Sequence, residues 1–317
     1  MAEPLVSIVL PVFNAERYLS AALHSMLAQS VGDWEMICIN DGSSDGSRQI
    51  LESIAERDPR VRVIHQDNQG LVRTLNRGLA LATGSLICRM DGDDISMPDR
   101  LARQVAFLRD HPEHVAIGGA ILKIDADSDP LGIERLSTEH DDIERALLGR
   151  KTGLFHPTTM IRSSALSAIG GYRAEYEWVE DHDLWLRLAQ RGRLSNLNDI
   201  VLCYRLHASS ICWQRSATQR ERMTRLLQEA HAARGLTLPS ELLLGPEGGR
   251  SAAGPGKWAR MAAKGLVPRT ALKHLWRLWR EPSALGYRVR MTTETLARIA
   301  FSLPRLPLQR VPAVPKF

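Results

Sequence analysis

Short apolar runs alternate with segments of helical period over the first hundred residues. The runs predict strands at residues 5–12, 35–40, 62–65 and 86–90. Between the runs, apolar residues recur at every third or fourth position, which predicts a helix capped by Asn14 and further helices after Ser47 and from Leu71. Strands that alternate with helices indicate a parallel sheet with helical crossovers, and hence an α/β fold.

The pattern continues less regularly toward residue 205. A helix is predicted from Pro98 to about residue 110, and further strands at residues 115–117, 158–161 and 200–205. A last amphipathic helix of this region begins at Asp181. Together these elements predict one large α/β domain over residues 1–212.

Polar residues follow three of the predicted strands. In open parallel sheets, ligands bind beyond the carboxyl ends of the strands, so these residues are the first candidates for a site. They are Pro11, Phe13 and Asn14 after the first strand, Asp41 and Ser43 after the second, and Asp91, Gly92, Asp93 and Asp94 after the fourth. The sequence therefore predicts an acidic crevice at one edge of the sheet.

The acidic run after the fourth strand predicts a metal site. In extended backbone, the side chains of Asp91 and Asp93 project to the same side, so their carboxylates would repel unless a cation lay between them. Mg²⁺ and Mn²⁺ prefer oxygen ligands and often complete their shell with diphosphate oxygens, for which Gly92 would leave room. A solvated acidic turn is the alternative interpretation.

The run that begins at Asp41 follows the second strand and is suited to recognising a nucleoside. A carboxylate at Asp41 could accept a hydrogen bond from a base imide or from a ribose hydroxyl. The alternative is an ordinary strand-to-helix turn, in which Asp45 caps the next helix.

Three carboxylates and an imidazole open the helix at residues 180–183. We expect Asp181 to act as a general base, because an acceptor hydroxyl is a poor nucleophile until its proton is removed. Favourable interaction with the helix dipole is the alternative role for these acids. His207, just beyond the last strand, is a further candidate for metal or phosphate contact, and His156 is a weaker one.

Charge divides the 317-residue chain into two unequal parts. Its net charge is +5, but residues 1–212 carry 22 Lys/Arg against 30 Asp/Glu, whereas residues 213–317 carry 19 against 6. No apolar run is long enough to span a membrane, and the N-terminus lacks a signal-peptide pattern, so we expect the catalytic part in the cytoplasm. The four cysteines form no C-x-x-C pair, which argues against a zinc site or a disulfide framework, and the apolar strand patterns around Cys38 and Cys88 predict core packing for these two.

The basic region 213–317 reads as helices separated by a Gly-rich linker at residues 245–256 and followed by a proline-rich, disordered end at 304–317. Trp258, Trp276 and Trp279 alternate with Lys and Arg, and Leu275 and Leu278 lie among them. This pattern favours a helix at an anionic membrane surface over nucleic acid binding. The alternative is a helix packed on the catalytic domain or on a second copy of the chain.

Five motifs in order resemble those of the family 2 glycosyltransferases over residues 5–212. They are the runs at 6–14, 40–47, 90–94, 170–173 and 180–187. The resemblance implies a GT-A fold and an inverting transfer of one sugar, most readily from a UDP-sugar, to a saccharide or lipid-linked saccharide of a bacterial cell surface. It assigns the nucleotide sugar to Pro11, Phe13, Asn14, Asp41, Ser43, Arg73, Asp91, Gly92 and Asp93, a Mn²⁺ or Mg²⁺ ion to Asp91, Asp93 and His207, and the catalytic base to Asp181.

Two departures from the family pattern matter. The family often has Ala-Arg-Asn-x-Gly after the third strand, but residues 74–78 here read Thr-Leu-Asn-Arg-Gly. The role of the missing arginine therefore falls to Arg73, to Arg77 or to neither. The Gln-x-x-Arg-Trp motif of processive members is absent, which predicts one transfer in each encounter.

Three other functions compete with this one. A phosphatase of the haloacid dehalogenase type also uses an aspartate pair after a buried strand, but Ile95 stands where its motif needs Thr or Val, and Asp41 and Asp181 would have no role. A sugar nucleotidyltransferase would need a basic Gly-rich loop near the N-terminus, which is absent. A non-catalytic, membrane-associated protein that binds nucleotide sugars is the third.

Overall fold

The computed structural model describes residues 3–207, 216–244, 255–265, 267–280, 285–302 and 312–316. Within them, nine strands form one sheet, in the order β3-β2-β1-β4-β8-β6-β9-β5, with β7 paired to β6. The strands are β1 Val6–Val12, β2 Trp34–Asp41, β3 Val61–Gln66, β4 Leu86–Arg89, β5 Ile95–Ser96, β6 His114–Ile124, β7 Pro130–Glu134, β8 Met160–Arg162 and β9 Arg193–Arg205.

Helices flank this sheet and make up the described part of the C-terminal region. They are α1 Glu16–Leu27, α2 Ser47–Ala55, α3 Leu71–Leu81, α4 Arg100–Asp110, α5 His140–Leu148, α6 Ser163–Ala168, α7 Glu180–Leu188, α8 Ser216–Ala232, α9 Ser240–Leu244, α10 Pro255–Lys264, α11 Pro268–Arg280 and α12 Leu285–Ser302. None of the described helices is both long and apolar enough to cross a lipid bilayer.

The N-terminal half of the sheet is parallel, as its strand–helix alternation predicts. β1 pairs in parallel with β2 on one side and with β4 on the other, and β2 pairs with β3. The carboxyl ends of β1, β2 and β4 therefore meet at one edge, which is where the polar runs lie. Beyond β4, the sheet is mixed, because β8 is antiparallel to β4 and β6 is antiparallel to β8.

The strand predicted at residues 115–117 is longer in the structure, where β6 extends from His114 to Ile124. Its middle contains Gly118 and Gly119, which are poor strand formers. A Cβ at Gly118 would lie 2.4 Å from Asn196 Oδ1, and one at Gly119 would lie 2.7 Å from Val201 Cγ2. The two glycines therefore let β9 approach β6, a contact that a propensity-based prediction does not see.

The core lies on both faces of the sheet. Alternate residues of β1 point to opposite sides: Ile8 and Leu10 pack in the cluster under α1, α2 and α4, whereas Val9 packs in the cluster that includes α3, α5 and α7. Cys38 and Cys88 are buried free thiols, which confirms their predicted core packing; Cys203 is also a buried free thiol, and Cys212 lies outside the described residues.

The C-terminal helices pack on the α/β domain. Leu226 and Leu227 of α8 are buried in the cluster around α7, and Ala262 and Ala271 of α10 and α11 pack against Leu131 of β7. The predicted linker up to residue 254 lies outside the described residues, as do residues 304–311 and 317 of the proline-rich end. Disorder was the wrong expectation for the described part of that end, since Val314 packs against a core cluster.

Candidate active site

Three aspartates meet directly beyond β4. The carboxylate oxygens of Asp91, Asp93 and Asp94 all lie within 4.8 Å of one another. The structure therefore brings Asp91 and Asp93 together as predicted. It adds Asp94, which belongs to the same acidic run but was not among the predicted metal ligands. This geometry gives three carboxylates from which a divalent cation could take oxygen ligands.

The electrostatics of this aspartate cluster fit a bound cation. Burial, together with the charge of Asp93, raises the pKa of Asp91. Burial and the two neighbouring carboxylates raise the pKa of Asp94 much further. Asp94 is 1% exposed, and its Oδ2 accepts no hydrogen bond from the described part of the chain. A divalent cation would satisfy that oxygen and remove the repulsion among the acids.

Two buried arginines hold the cluster in place. Arg89, the last residue of β4, forms an ion pair with Asp91 through Nη1. Burial opposes its charge, but Asp91 outweighs burial and raises the pKa of Arg89. At the end of β9, the Arg205 backbone N–H donates to Asp94 Oδ1 (2.8 Å), and its Nε donates to the carbonyl oxygen of Asp93 (2.7 Å). The sequence interpretation missed both arginines, because each stands at the end of an apolar strand without a motif.

His207 lies next to the aspartates, as predicted. Its Nε2 is 2.8 Å from Asp93 Oδ2, and its ring lies 5.1 Å from the ring of Tyr18. In octahedral coordination with bonds of about 2.1 Å, adjacent ligand atoms are about 3.0 Å apart. The separation between His207 and Asp93 therefore suits two neighbouring ligands of one ion.

Gly92 has a different neighbour from the one expected. A Cβ at this position would lie 3.4 Å from Ala15 Cβ and 3.5 Å from Leu19 Cδ1, both at the start of α1. The missing side chain therefore faces α1 rather than a space between the carboxylates, and it allows close packing of the acidic run against that helix.

The loops after β1 and β2 cap each other. Asn14 does not cap α1, which was the prediction; the N-cap residue is Ala15, and Asn14 has a positive φ of 50°. Its side-chain oxygen accepts from the Ser44 backbone N–H (2.9 Å), and its own N–H donates to Ser43 Oγ (3.0 Å). Asn14 and Ser43 thus join the two loops, a pairing between distant segments that local sequence patterns do not reveal.

Asp45 and Ser47 add further hydrogen bonds between the loop after β2 and the start of α1. Asp45 accepts from the Ser47 backbone N–H and from the backbone N–H of Glu16 in α1, both at 3.0 Å, but the N-cap residue of α2 is Gly46 and not Asp45. The Ala15 N–H donates to Ser47 Oγ (2.9 Å). Since the free N–H groups of α1 are satisfied by the neighbouring loop, the crevice between β1 and β2 is held in one shape.

Asp41 fixes the loop that leads into α3. It is 4% exposed, and its carboxylate accepts from Gln66 Nε2 (2.6 Å) and from the backbone N–H groups of Gln69 (2.8 Å) and Gly70 (3.0 Å). Arg77 donates to Gln66 Oε1 (2.6 Å) and so reaches Asp41 through one residue. Arg73 is exposed on the first turn of α3.

An aromatic side chain lies just beyond β1. Phe13 exposes 50% of its side chain, an unusual amount for a phenylalanine in a domain whose other strand-end apolar residues are covered. Pro11, two residues before it, is half-buried.

The acids at the start of α7 differ in their burial and in their hydrogen-bond partners. Asp183 is fully buried between two arginines: Arg173 Nε donates to its Oδ1 (3.1 Å) and Arg187 Nε to its Oδ2 (2.9 Å). His182 is buried with its Nε2 2.8 Å from the carbonyl oxygen of Leu147. Asp181 is only partly buried and accepts from the His182 backbone N–H (2.7 Å). Of these two acids, only Asp181 keeps part of its side chain exposed.

A group of polar side chains makes hydrogen bonds around Tyr172. His156 Nε2 lies 2.8 Å from the Tyr172 hydroxyl, and Asn76 hydrogen-bonds both the N–H and the carbonyl of Tyr172. Burial raises the pKa of Tyr172; Arg89 opposes this, and the charges of Glu180, Asp181 and Asp91 add to it. The charges of Asp91, a metal-site candidate, and of Asp181, the candidate base, thus both act on Tyr172. His156 belongs to this group and not to the aspartate cluster.

Glu180 is a further residue of this group that the sequence interpretation did not select. It is 7% exposed, and its Oε2 accepts no hydrogen bond within the described residues. Burial, followed by the charge of Asp181, raises its pKa to about 7. A carboxyl group of this kind is half-protonated near neutral pH.

With this geometry established, comparisons with known proteins decide the family. The model of glycosyl transferase family 2 matches residues 7–170. The chain belongs to this family. It is 35% identical over 217 residues to the putative glycosyltransferase EpsE of Bacillus subtilis, covering 67% of this chain and 76% of the relative. It is also 29% identical over 202 residues to the amylovoran biosynthesis glycosyltransferase AmsE of Erwinia amylovora, covering 62% and 75%.

Solved structures confirm the fold. Staphylococcus aureus TarS 1–349 in complex with UDP-GlcNAc has a TM-score of 0.57 at 16% identity, over 93% of this chain and 81% of that one. The mannosyltransferase PcManGT of Pyrobaculum calidifontis, in complex with GDP-Man and Mn²⁺, has a TM-score of 0.52 at 17% identity, over 95% and 87%. The predicted GT-A fold is confirmed, and the chain is an enzyme that transfers sugars. The phosphatase and nucleotidyltransferase alternatives are thereby excluded.

Proposed function

We propose that this glycosyltransferase moves a sugar from a UDP-sugar to an acceptor hydroxyl with inversion at the anomeric carbon. The observation that carries the proposal is the cluster of Asp91, Asp93 and Asp94 directly beyond β4. The aspartate cluster suits the departing diphosphate, and the partly exposed Asp181 at the start of α7 suits the attacking hydroxyl.

Asp91, Asp93 and His207 would hold the metal ion, with Asp94 beside them. When bound, Mn²⁺ or Mg²⁺ supplies positive charge that stabilises the departing diphosphate. Arg89 and Arg205 keep the aspartates in place for this role. Mn²⁺ in the PcManGT complex supports the choice of ion.

Asp181 acts as the base. Its carboxylate takes the proton from the acceptor hydroxyl as that oxygen attacks the anomeric carbon and the bond from this carbon to the diphosphate breaks on the opposite face. Inversion follows because one displacement occurs and no covalent intermediate forms. Asp183 cannot take this role, since both of its oxygens are paired with arginines.

The crevice between β1 and β2 takes the nucleoside. Phe13 offers an exposed ring against which a base can stack, beside Pro11. A carboxylate has about four acceptor positions, and the loop uses three of those on Asp41, which leaves one for a base imide or a ribose hydroxyl. Asn14 and Ser43 join the loops that border this site, and the exposed Arg73 is a further candidate for donor contact. The UDP-GlcNAc complex of TarS supports UDP as the carrier.

The acceptor that we propose is a saccharide or lipid-linked saccharide of a bacterial surface polysaccharide. The name of AmsE, which refers to amylovoran biosynthesis, supports this class of product. We place the reaction in the cytoplasm, at the inner face of the cell membrane.

Release of UDP and the configuration of the product test this function. Wild-type protein should release UDP from a UDP-sugar only with Mn²⁺ or Mg²⁺, and proton NMR should show a product of opposite anomeric configuration to the donor. Asp181→Asn should abolish transfer while UDP binding persists, whereas Glu175→Gln, which changes an exposed acid nearby, should leave transfer intact. Transfer by Asp181→Asn at the wild-type rate, or a product of retained configuration, would refute the mechanism.

A further inference from the structure

Helix α11 carries two apolar stripes, about 100° apart around its axis. One stripe is buried: Ala271, Leu275 and Leu278 pack on α10, α12 and β7. Other apolar side chains of this helix are exposed to solvent: Leu272, Trp276 and Trp279 are 51%, 57% and 44% exposed. These three are spaced by four and three residues, so they lie along one stripe of the helix. Leu275 and Leu278, expected at a membrane surface, are therefore core residues instead.

Helix α12 extends this exposed stripe. Leu285, Val289 and Leu296 are 61%, 48% and 46% exposed. Trp279 Nε1 donates to Thr292 Oγ1 (2.9 Å), which places α12 directly beside the exposed side of α11. We call the six apolar residues of the two helices the outer apolar face. Large exposed apolar patches on soluble domains mark interaction surfaces.

Cations surround the outer apolar face. The guanidinium of Arg280 lies 3.6 Å from the centre of the Trp276 ring, and that of Arg288 lies 5.4 Å from the centre of the Trp279 ring. Arg269, Arg280 and Arg290 form no ion pair with any carboxylate of the described residues. By contrast, Lys273 and Arg277, which lie on neither apolar stripe of α11, are paired with acids of the β6–β7 turn. The arginines without an ion pair among the described residues thus belong to the surroundings of the outer apolar face.

We propose that the outer apolar face binds the surface of an anionic lipid bilayer. Tryptophan is favoured at the boundary between lipid headgroups and acyl chains, and arginines beside it attract anionic headgroups. A second copy of the chain fits less well. A two-fold contact would place this face against itself, which would bring the same unpaired arginines together.

Lys273 of α11 links this helix to the active site. Lys273 Nζ lies 2.8 Å from Asp125 Oδ2, and the Arg205 Nη1 group donates to the carbonyl oxygen of Asp125 (3.2 Å). Arg205 in turn holds Asp93. Contacts through Asp125 and Arg205 thus join α11 to the aspartate cluster. This proximity suits an acceptor presented from the bilayer, an inference that rests on the proposed function.

Co-sedimentation with lipid vesicles tests the proposal. Wild-type protein should sediment with vesicles of phosphatidylcholine and phosphatidylglycerol, much less with phosphatidylcholine alone, and less in high salt. Trp276→Ser with Trp279→Ser should weaken binding by at least about tenfold. The matched control is Leu236→Ser with Leu243→Ser, two exposed leucines elsewhere on the surface, and it should bind like wild type.

A second double variant tests the proposal independently, in case the tryptophan variant misfolds. Arg280→Gln with Arg290→Gln leaves the apolar side chains in place and should reduce binding to anionic vesicles while binding to neutral vesicles stays the same. Equal binding of wild type to both kinds of vesicle, or no effect of either double variant, would overturn the proposal. So would a wild-type dimer that becomes a monomer in the tryptophan variant and never binds vesicles, since the face would then join two copies.

The outcome is separable from that of the proposed function. UDP release from the donor, measured without vesicles, should be the same in the tryptophan variant and in wild type, because the outer apolar face lies outside the site. Vesicle binding that follows the expected pattern in a protein without transferase activity would keep the membrane inference and reject the proposed reaction.

Discussion

Lys273 of α11 lies 2.8 Å from Oδ2 of Asp125, a carboxylate at the end of β6 that is fully buried. Lys273 also contacts Asp127 and Asp129, the other acids of the β6–β7 turn. The last basic region of the chain is thus tied to a turn that borders the active site. Charge counting in the sequence separates the acidic and basic parts of the chain, but in the fold they meet here.

Replacement of Lys273 by Met should destabilise the protein by about 2 kcal/mol, because it leaves Asp125 buried with one cationic partner fewer. Urea unfolding near neutral pH would measure the loss. Lys264→Met on α10 is the control, since Lys264 is exposed and forms no ion pair within the described residues. Equal stability of the two variants would contradict the role of this pair.

The stabilisation from Lys273 should depend on acid pH. Burial tends to raise the pKa of Asp125, but His274 and Lys273 outweigh it and hold this pKa far below its usual range. Because the folded pKa is below the unfolded value of about 3.9, the stabilisation is complete above that value and is lost as pH falls below it. The difference between wild type and Lys273→Met should therefore shrink below about pH 4, and a constant difference would argue against it.

Glu180→Gln should stabilise the protein increasingly as pH rises. The folded pKa of about 7 lies above the ordinary glutamate pKa of 4.5, so the folded chain holds a proton that the unfolded chain releases. Wild-type stability should therefore fall relative to the variant between these two pH values, by at most about 1.4 kcal/mol per pH unit, and then level off. Thermal unfolding of both proteins across this interval, with Glu175→Gln as control, measures it. Parallel pH profiles would show that Glu180 is ionised in the fold.

Arg89→Gln should lower the melting temperature of the metal-free protein and enlarge the increase produced by Mn²⁺. Arg89 is the cation that faces Asp91 in the structure, so its loss leaves the repulsion among three carboxylates without compensation. A bound divalent cation would then relieve more repulsion than in wild type. Thermal unfolding with and without Mn²⁺ tests this, and a smaller Mn²⁺ effect in the variant would contradict it.

Asp183→Asn and Asp181→Asn should separate stability from catalysis. Asp183 is buried between Arg173 and Arg187, so its neutralisation should cost about 3 kcal/mol or more. Asp181 is partly exposed and accepts only a local hydrogen bond, so its change to Asn should alter stability little while it abolishes transfer. Urea unfolding and transfer rates measured on both variants decide the point, and a large loss of stability in Asp181→Asn would make that residue structural.

Regular elements of the parallel half of the fold could be predicted because periodicity carries the information. β1 to β4 differ from their predicted ranges only by a residue or so at the ends, and Asp91 and Asp93 meet because they follow one of these strands. These features depend on local sequence alone.

Features that depend on contacts between distant segments could not be predicted. Asn14 looks like a helix cap, but its partner Ser44 comes from the next loop, 30 residues on. Arg89 and Arg205 carry no motif, and only the pairing of strands brings them to the acids. On α11, the sequence shows an apolar and basic pattern, but not that Leu275 faces the core while Trp276 faces solvent.

Calorimetric titration with UDP tests most directly whether the aspartate cluster holds a cation that binds the diphosphate. Wild-type protein should bind UDP with Mn²⁺ present and at least about tenfold more weakly in EDTA. Asp93→Asn should bind UDP weakly in both conditions, and Asp141→Asn, which changes an exposed acid on α5, should behave like wild type. Equal UDP affinity with Mn²⁺ and EDTA, or wild-type affinity in Asp93→Asn, would contradict a metal-bound diphosphate at this site.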